Sequence, residues 1–463
     1  MTITSLFLTS FILSLLILGT FILRFKILNH HRIIAKKYLS KLQKQDLPYT
    51  YFSSAVIAES SRKFWHLPPQ KITVLMRAAM KSVDLSAPLI RKAIKKAPHN
   101  TELLLLDAEI SLLTNRRQDF LHLIEQIRLP YFCPRYLKAR YKLLTAKSNL
   151  YQTDMLSASE NASRALKIYQ RLGYTYEEAE CYATLAQIYR ISGVFDVAFT
   201  MLRDAQKIYK KLKLFAKAAE AEAYFGLIEI GRENYSAAAE YLKNAKIICQ
   251  KHGLIKTDAD ICNWQGLTAL LAGDLTVARQ EFTAALNNTQ ALSTASFALE
   301  MLARLYLKKK EYAKALNKAD DALKLYQKNH HKAGIFETLY LKAEIFYIKQ
   351  DYDESRHILT ALIKEKTPPS AIYYPANAYT LLGAIELKEN NFDKARTLFK
   401  QAADLEHAVN RLKGAAIDYN NLAELERLNG DNNTAQTYLK QAIRYAEETG
   451  DNELKSYLKT KLK

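Results

Sequence analysis

Turn-forming residues are scarce in this chain. Its 463 residues include only 13 glycines and 10 prolines, too few for the many tight turns of a β-sandwich or barrel. Long polar low-complexity tracts are missing as well, so little of the chain is loop. The four cysteines (Cys133, Cys181, Cys249 and Cys262) are scattered, with no CxxC and no metal-ligand spacing. That excludes a disulfide framework and fits small buried hydrophobes in a reducing compartment. The His-His pairs at 30–31 and 330–331 have no HExxH and no carboxylate ligand set beside them, so no metal site is expected. No glycine-rich phosphate loop, nucleophile elbow or pair of catalytic carboxylates is found. Asp320-Asp321 and the stretch DYDES (351–355) read as charges at helix ends and turns. The sequence points away from an enzyme, and no cofactor is expected.

What is present is hydrophobic residue in quantity, 49% of the chain, enough for a core along most of its length. An all-α protein follows, built either as two or three ordinary domains or as one elongated array. The net charge of +20 is unevenly placed. Residues 1–138 hold 21 Lys/Arg against 8 Asp/Glu, whereas residues 139–463 hold 46 against 39. A nucleic-acid-binding array would spread its basic side chains along a groove. Crowding them toward the amino end suits a membrane surface instead, and no nucleic-acid partner is expected.

The first residues explain that crowding. The run MTITSLFLTSFILSLLILGTFIL carries no charged side chain before Arg24. Residues 3–23 are long enough to cross a bilayer as one helix, at about 1.5 Å per residue against about 30 Å of hydrocarbon. A cleaved signal peptide would need positive charge before the run and a small-x-small site after it, and neither is there. Beyond it stand Arg24, Lys26, Arg32, Lys36, Lys37, Lys41 and Lys44, with no acid among them. The positive-inside rule then leaves the short amino end outside and the rest in the cytoplasm, as in a bacterial inner-membrane protein. These seven charges serve topology alone, or also lie along anionic headgroups. The sequence allows both.

Downstream, small residues return about every 40 positions. The first slot is held by Ala146, Ala186, Gly226, Gly266, Ala303, Ala343, Gly383 and Ala423. Twelve residues later stand Ala158, Ala198, Ala238, Ala278, Ala315, Ser355, Ala395 and Ala435. Seven further on come Ala165, Ala205, Ala245, Ala285, Ala322, Leu362, Ala402 and Ala442. Four after the second slot a large residue recurs: Leu202, Leu242, Phe282, Leu359, Phe399 or Leu439, with Ala319 the exception. Small, large and small at i, i+4 and i+7 share one helix face. Each unit therefore reads as a helical hairpin whose small slots are the closest helix contacts, with large side chains filling the spaces beside them. In LAQIYRISGVFDVAFTMLRDA, residues 185–205, the two helices join at Gly193.

This pattern resembles the tetratricopeptide repeats. Their W-x2-L-G-x2-Y-x8-A-x3-F-x2-A signature falls on Tyr182, Leu185, Ala186, Tyr189, Ala198, Leu202 and Ala205. Seven units, starting at Ala179, Ala219, Ala259, Ser296, Phe336, Ala376 and Ala416, carry it well, and one starting at Ala139 carries it weakly. The spacing is 40 with one step of 37, against about 34 in the common form, as in the longer-repeat type. The resemblance implies a right-handed α-α superhelical solenoid, and the uncharged run at 3–23 places one transmembrane helix before it. Its parts would be a span at 3–23, a basic juxtamembrane segment at 24–66 and degenerate helical pairs at 67–138. The array itself would occupy 139–450, with a capping helix at 451–463 whose Leu454, Leu458 and Leu462 share a face.

In that family the first helix of each pair lines a concave groove that takes peptides. By resemblance the groove should show Gln187 and Arg190, then Tyr224, then Asn263, Trp264 and Leu267. Glu300 and Arg304 follow, then Tyr340, Glu344 and Tyr347, and last Asn420, Glu424 and Arg427. Mixed charges interleaved with aromatics suit a protein or peptide partner. The reading is a membrane-anchored scaffold that holds a complex at the cytoplasmic membrane face. A peptide-gated regulator is the alternative, and a nucleic-acid-associated array is disfavoured by the near-balanced charge.

Overall fold

A computed structural model describes residues 101–462, apart from 114–115, 130–132, 134, 290, 366, 368–370 and 410. The expected span at 3–23, the basic segment and residues 67–100 lie outside the described residues. Among the described residues there are nineteen helices and no strand, and no helix is long and apolar enough to cross a membrane. The helices fall into two units, divided between Asp274 and Leu275.

The first unit contains α1 (Thr101–Leu113), α2 (Arg117–Gln126), α3 (Arg135–Tyr151), α4 (Met155–Leu172), α5 (Thr175–Ile191), α6 (Phe195–Lys211), α7 (Phe215–Gly231), α8 (Tyr235–His252) and α9 (Ile255–Ala272). The second contains α10 (Leu275–Asn287), α11 (Leu292–Lys308), α12 (Tyr312–Lys328), α13 (Lys332–Ile348), α14 (Tyr352–Lys364), α15 (Tyr374–Lys388), α16 (Phe392–Ala408), α17 (Leu412–Leu428), α18 (Asn432–Glu448) and α19 (Asn452–Thr460).

Helix length is set by regularly placed stops. A left-handed residue ends the helix at Thr153, Gly173, Gly193, Lys213, Glu233, Gly253 and Gly273, every 20 residues. In the second unit the same rhythm runs through Lys310, His330, Gln350, Asn390, Gly430 and Gly450. At each such turn a backbone N–H reaches back to a helix carbonyl, as Val194 does to Tyr189 (2.8 Å) and Leu214 to Tyr209 (2.9 Å), which satisfies carbonyls the helix end would otherwise strand. Several following helices start on a side-chain cap. Asp154, Asn234, Asp351, Asp431 and Asp451 each accept the N–H three residues on.

The small slots are where the helices meet. All twenty-four positions are buried, and those filled by alanine are 0–4% exposed. Ser355 Oγ donates to the Ala343 carbonyl at 2.8 Å, one second slot touching its first slot. A Cβ placed on Gly226 would sit 2.8 Å from Leu242 Cγ and 3.1 Å from the Ala238 carbonyl oxygen. On Gly383 it would meet the Phe399 ring at 2.8 Å. The large residue four after the second slot thus fills the space that the small one leaves.

Within each unit, first helices also touch the next first helices, α5 against α7 and α7 against α9 in one, α11 against α13 and α13 against α15 in the other. They crowd toward one side, which becomes the inner side of the stack. At the carboxyl end Leu458 is buried against Leu439, Ala442 and Ile443, with Leu454 and Leu462 beside it. One expectation needs correcting. Asp320 and Asp321 stand in the middle of α12, not at its end, where Asp320 meets Lys342 (2.7 Å) and Asp321 meets Lys318 (3.4 Å); the stop that follows them is His330, nine residues on.

Candidate functional site

On the inner side of the first unit lies a cavity of about 320 Å³. Glu109 and Leu112 of α1, Arg140, Lys147 and Tyr151 of α3, Glu180, Ala183 and Gln187 of α5, and Lys217, Glu220 and Tyr224 of α7 wall it. Second helices contribute its floor through Tyr169, Leu202 and Tyr209. The cavity exists because Ala183 and Ala221 stand where larger side chains would close it.

Its charges are almost all spoken for. Arg140 holds Glu109 in a two-pronged bond, Nε to Oε1 at 2.8 Å and Nη2 to Oε2 at 2.5 Å. Glu180 accepts from the Tyr209 hydroxyl (2.8 Å) and lies between Lys147 (3.5 Å) and Lys217 (3.6 Å). Burial alone would raise the Glu180 pKa. Lys217, Lys147 and the Tyr209 hydroxyl outweigh it and hold the carboxyl at about 2. Lys217 is in turn driven above its ordinary range, since Glu180 and Glu220 overcome the burial that would lower it.

Gln187 lines this cavity from α5, and Arg190 follows it by three residues on the same helix. Tyr224 joins them from α7, and its ring lies 5.7 Å from that of Trp264 on α9. These four of the expected groove residues are brought together. Asn263 is not among them. It is 3% exposed, because one residue along a helix turns a side chain by about 100°, away from the surface that Trp264 shows.

The inner side of the second unit carries tyrosines too. Glu300 is a correction too. Being 1% exposed, it serves the packing rather than a groove, accepting from the Tyr326 hydroxyl (2.9 Å) and pairing with Arg304 (2.9 Å). Tyr340 packs against Tyr374 with ring centroids 5.8 Å apart, Tyr347 against Tyr352 at 5.7 Å, and the Arg411 guanidinium sits 4.9 Å over the Tyr373 ring. Burial pushes the Glu344 carboxyl up, with Arg304 opposing. Asn420, Glu424 and Arg427 lie apart from these, beside an open recess of about 590 Å³ near the carboxyl end. Lys461 reaches both Asn420 (3.2 Å) and Glu424 (2.7 Å) there.

Sequence reasoning missed Arg140, Lys147, Glu180, Lys217 and Glu220 in the cavity, and Asp418 in the second unit. A signal was present for part of the set. Arg140, Glu180, Glu220 and Asp260 each stand six residues before a first small slot in four consecutive repeats, and Glu337 does so again after Phe297 interrupts the register. Among the described residues, no group of His, Cys, Asp and Glu is arranged to hold a metal ion.

The hairpins, their small slots and their 20-residue stops fix the comparison with known proteins. Residues 374–449 match the tetratricopeptide repeat family. The fold is tetratricopeptide-like. No curated protein sequence matches the chain significantly. Among solved structures it is similar to a Rap protein complexed with competence and sporulation factor, at 15% identity and a TM-score of 0.51, over 79% of this chain and 100% of that one. The apo form of the quorum sensor NprR from B. thuringiensis is similar at 14% identity and a TM-score of 0.51, over 74% and 97% of the two chains. A signal transduction ATPase with numerous domains and a tetratricopeptide repeat sensor, from Pyrococcus horikoshii, is similar at 15% identity and a TM-score of 0.50, over 92% of this chain and 65% of that one. At these identities the tetratricopeptide likeness is one of fold.

Proposed function

We propose that this chain is a membrane-anchored tetratricopeptide scaffold of the longer, roughly 40-residue repeat type. Its array binds a protein or peptide segment on the inner side of the repeats and holds it at the cytoplasmic membrane face. The observation that carries the binding half is the cavity in the first unit. It is walled by four consecutive first helices and combines apolar floor, aromatic wall and charged groups, the mixture that peptide-binding surfaces use. The anchoring half rests on the uncharged run at 3–23 and the seven basic residues after it.

A second reading, a peptide-gated regulator, draws on two fold neighbours, one complexed with the competence and sporulation factor and the other a quorum sensor. In that case the bound segment is a signal and not a client. No catalytic chemistry is needed for either reading.

A photo-crosslinking side chain placed at Tyr224 or Tyr340 in native membranes tests the binding surface. Capture of the same protein or peptide from both positions, and none from exposed Lys210 on α6, supports an inner-side partner. Equal capture from Lys210 sinks it. A captured species small enough to be a free peptide favours the regulator over the scaffold.

A further inference from the structure

We infer that one edge of the first unit, formed by the turns from α4 to α5, α6 to α7 and α8 to α9, lies against an anionic bilayer surface. This adds a second membrane contact to the anchored reading above and makes no use of the inner cavity.

Antiparallel helices of 17 or 18 residues send alternate turns to opposite edges of a stack, about 25 Å apart. The two edges differ in charge. On one, residues 167–176, 207–216 and 247–256 hold eight Lys/Arg and no Asp or Glu. On the other, the equally long stretches 149–158, 189–198 and 229–238 hold two Lys/Arg and four Asp/Glu. Hairpin packing does not call for this difference, because the turns are built alike. Gly173, Lys213 and Gly253 are the left-handed residues at the basic edge, and Thr153, Gly193 and Glu233 are those at the acidic one.

Arg171, Lys210, Lys211, Lys213 and Lys251 are exposed on the basic edge, and among the described residues none of them makes an ion pair. Lys217, four residues beyond Lys213, is by contrast held by Glu180 and Glu220. Apolar side chains stand at the tips of the same turns. Ile255, the first residue of α9, is 69% exposed, and Phe215, the first of α7, is 40% exposed. The Phe215 ring lies flat against that of His252, centroids 3.7 Å apart, which joins two successive turns into one surface. Apolar groups among unpaired lysines are costly in water and favourable at lipid headgroups. There the apolar groups enter the acyl boundary, while the lysine stems lie along it and place their ammonium groups among the phosphates.

The same features disfavour a nucleic acid. Single strands bound without base readout need open aromatic faces on which to stack; His252 takes one face of Phe215, and Ile255 has no ring. The acidic edge exposes apolar residues too, Ile191 and Val194, but beside exposed Asp154 and Asp196, which an anionic surface repels. The seven basic residues after the proposed span would bring the basic edge to the anionic leaflet.

The test uses the full chain reconstituted into vesicles of phosphatidylcholine, alone or with phosphatidylserine at roughly three to one. A nitrobenzoxadiazole dye is coupled to Ile255→Cys or to Val194→Cys, each in a Cys133→Ser background, and quenching by doxyl-labelled lipid is read. With phosphatidylserine present, the dye at 255 should be quenched at least about threefold more than in phosphatidylcholine alone, and the excess should vanish near 1 M salt. The dye at 194 should stay near background in both. Changing Lys210, Lys211 and Lys213 together to Glu should abolish the excess at an unchanged melting temperature, and changing all three to Arg should keep it. Equal quenching in the two lipids, which needs no charge variant to observe, would overturn the inference. So would equal quenching at 194 and 255, survival of the excess in the Glu variant, or its loss in the Arg variant. Displacement of the lipid contact by a uridine oligonucleotide at lower concentration than phosphatidylserine vesicles would assign the edge to nucleic acid instead. Alkaline carbonate extraction scores the anchor separately. A chain that is extracted while position 255 is still quenched loses the anchor and keeps the edge, and a chain that stays embedded with 255 unquenched does the reverse.

Discussion

Single residues carry the electrostatic character of the inner faces, and Asp418 shows how. It is buried on α17, facing Thr380 of α15, Glu406 and Arg411 at the end of α16 and beyond, and Asn421 of its own helix. Thr380 Oγ1 lies 2.7 Å from Asp418 Oδ1 and 3.1 Å from the Ala376 carbonyl oxygen. A hydroxyl has one proton, so both contacts are satisfied when a neutral Asp418 donates to Thr380 and Thr380 donates to Ala376. Burial, helped by Glu406, pushes the Asp418 pKa up to about 7 against the hydrogen bond from Thr380. The sign of the consequence follows. Below pH about 4 the group is protonated in both folded and unfolded chains. Between about 4 and 7 only the folded chain keeps the proton, so stability falls by roughly 1.4 kcal/mol per pH unit, a few kcal/mol in all. Above about 7 the loss is complete. Asp418→Asn should flatten this slope and slow amide exchange in α17 at pH 8 relative to the parent. Hydrogen exchange at pH 5 and 8 measures it, and an unchanged pH dependence in the variant would refute the assignment.

At the scale of the element, one helix contact and one helix stop can each be perturbed separately. Ala198 is 0% exposed at a second small slot; Ala198→Leu should overpack α6 against α5 and cost about 1–3 kcal/mol, while Lys210→Ala on the exposed side of the same helix should change the melting temperature little. The stops respond to backbone geometry alone. Gly193 has φ +74° with nothing within 4 Å of the place a Cβ would take, so Gly193→Ala should cost about 1 kcal/mol through left-handed strain. Gln350, at φ +64°, should show the reverse: Gln350→Gly should raise the melting temperature slightly. Thermal melts of the four variants decide between these and a model in which turns are interchangeable. The contacts were readable from sequence because repetition multiplies a weak signal: one buried alanine says little, and a small residue returning eight times at nearly constant spacing specifies a hairpin. Gly193 was readable for the same chemical reason that Gln350 was not, since glycine announces a left-handed residue and glutamine does not. Ion pairing was the least legible. Arg356–Glu386 and Arg396–Glu426 are one pair translated by 40 residues, each bridging 30 residues of chain, and sequence gives no distance at that separation.

At the scale of the whole molecule, the proposed anchor and the proposed binding surface make separable demands. A repeat array owes its stability to contacts between neighbouring repeats, so the described helices should not need residues 1–23 in order to fold. Tethering adds no contact either. It raises the concentration at which array and partner meet when both are at the membrane. Removing residues 1–23 should therefore leave the circular dichroism spectrum and melting temperature of the array unchanged, together with its affinity for a partner captured from Tyr224. Function in cells should nevertheless fall. An unrelated apolar span followed by the same basic residues should restore it, whereas a span that places the array outside the cell should not. Orientation has its own readout: a cysteine at position 2 should react with an impermeant thiol reagent on intact cells, and one near residue 460 should react only after lysis. Full cellular function from the unanchored array would remove the tether from the proposal and leave the binding surface standing, because that surface is argued from side chains between Glu109 and Tyr224.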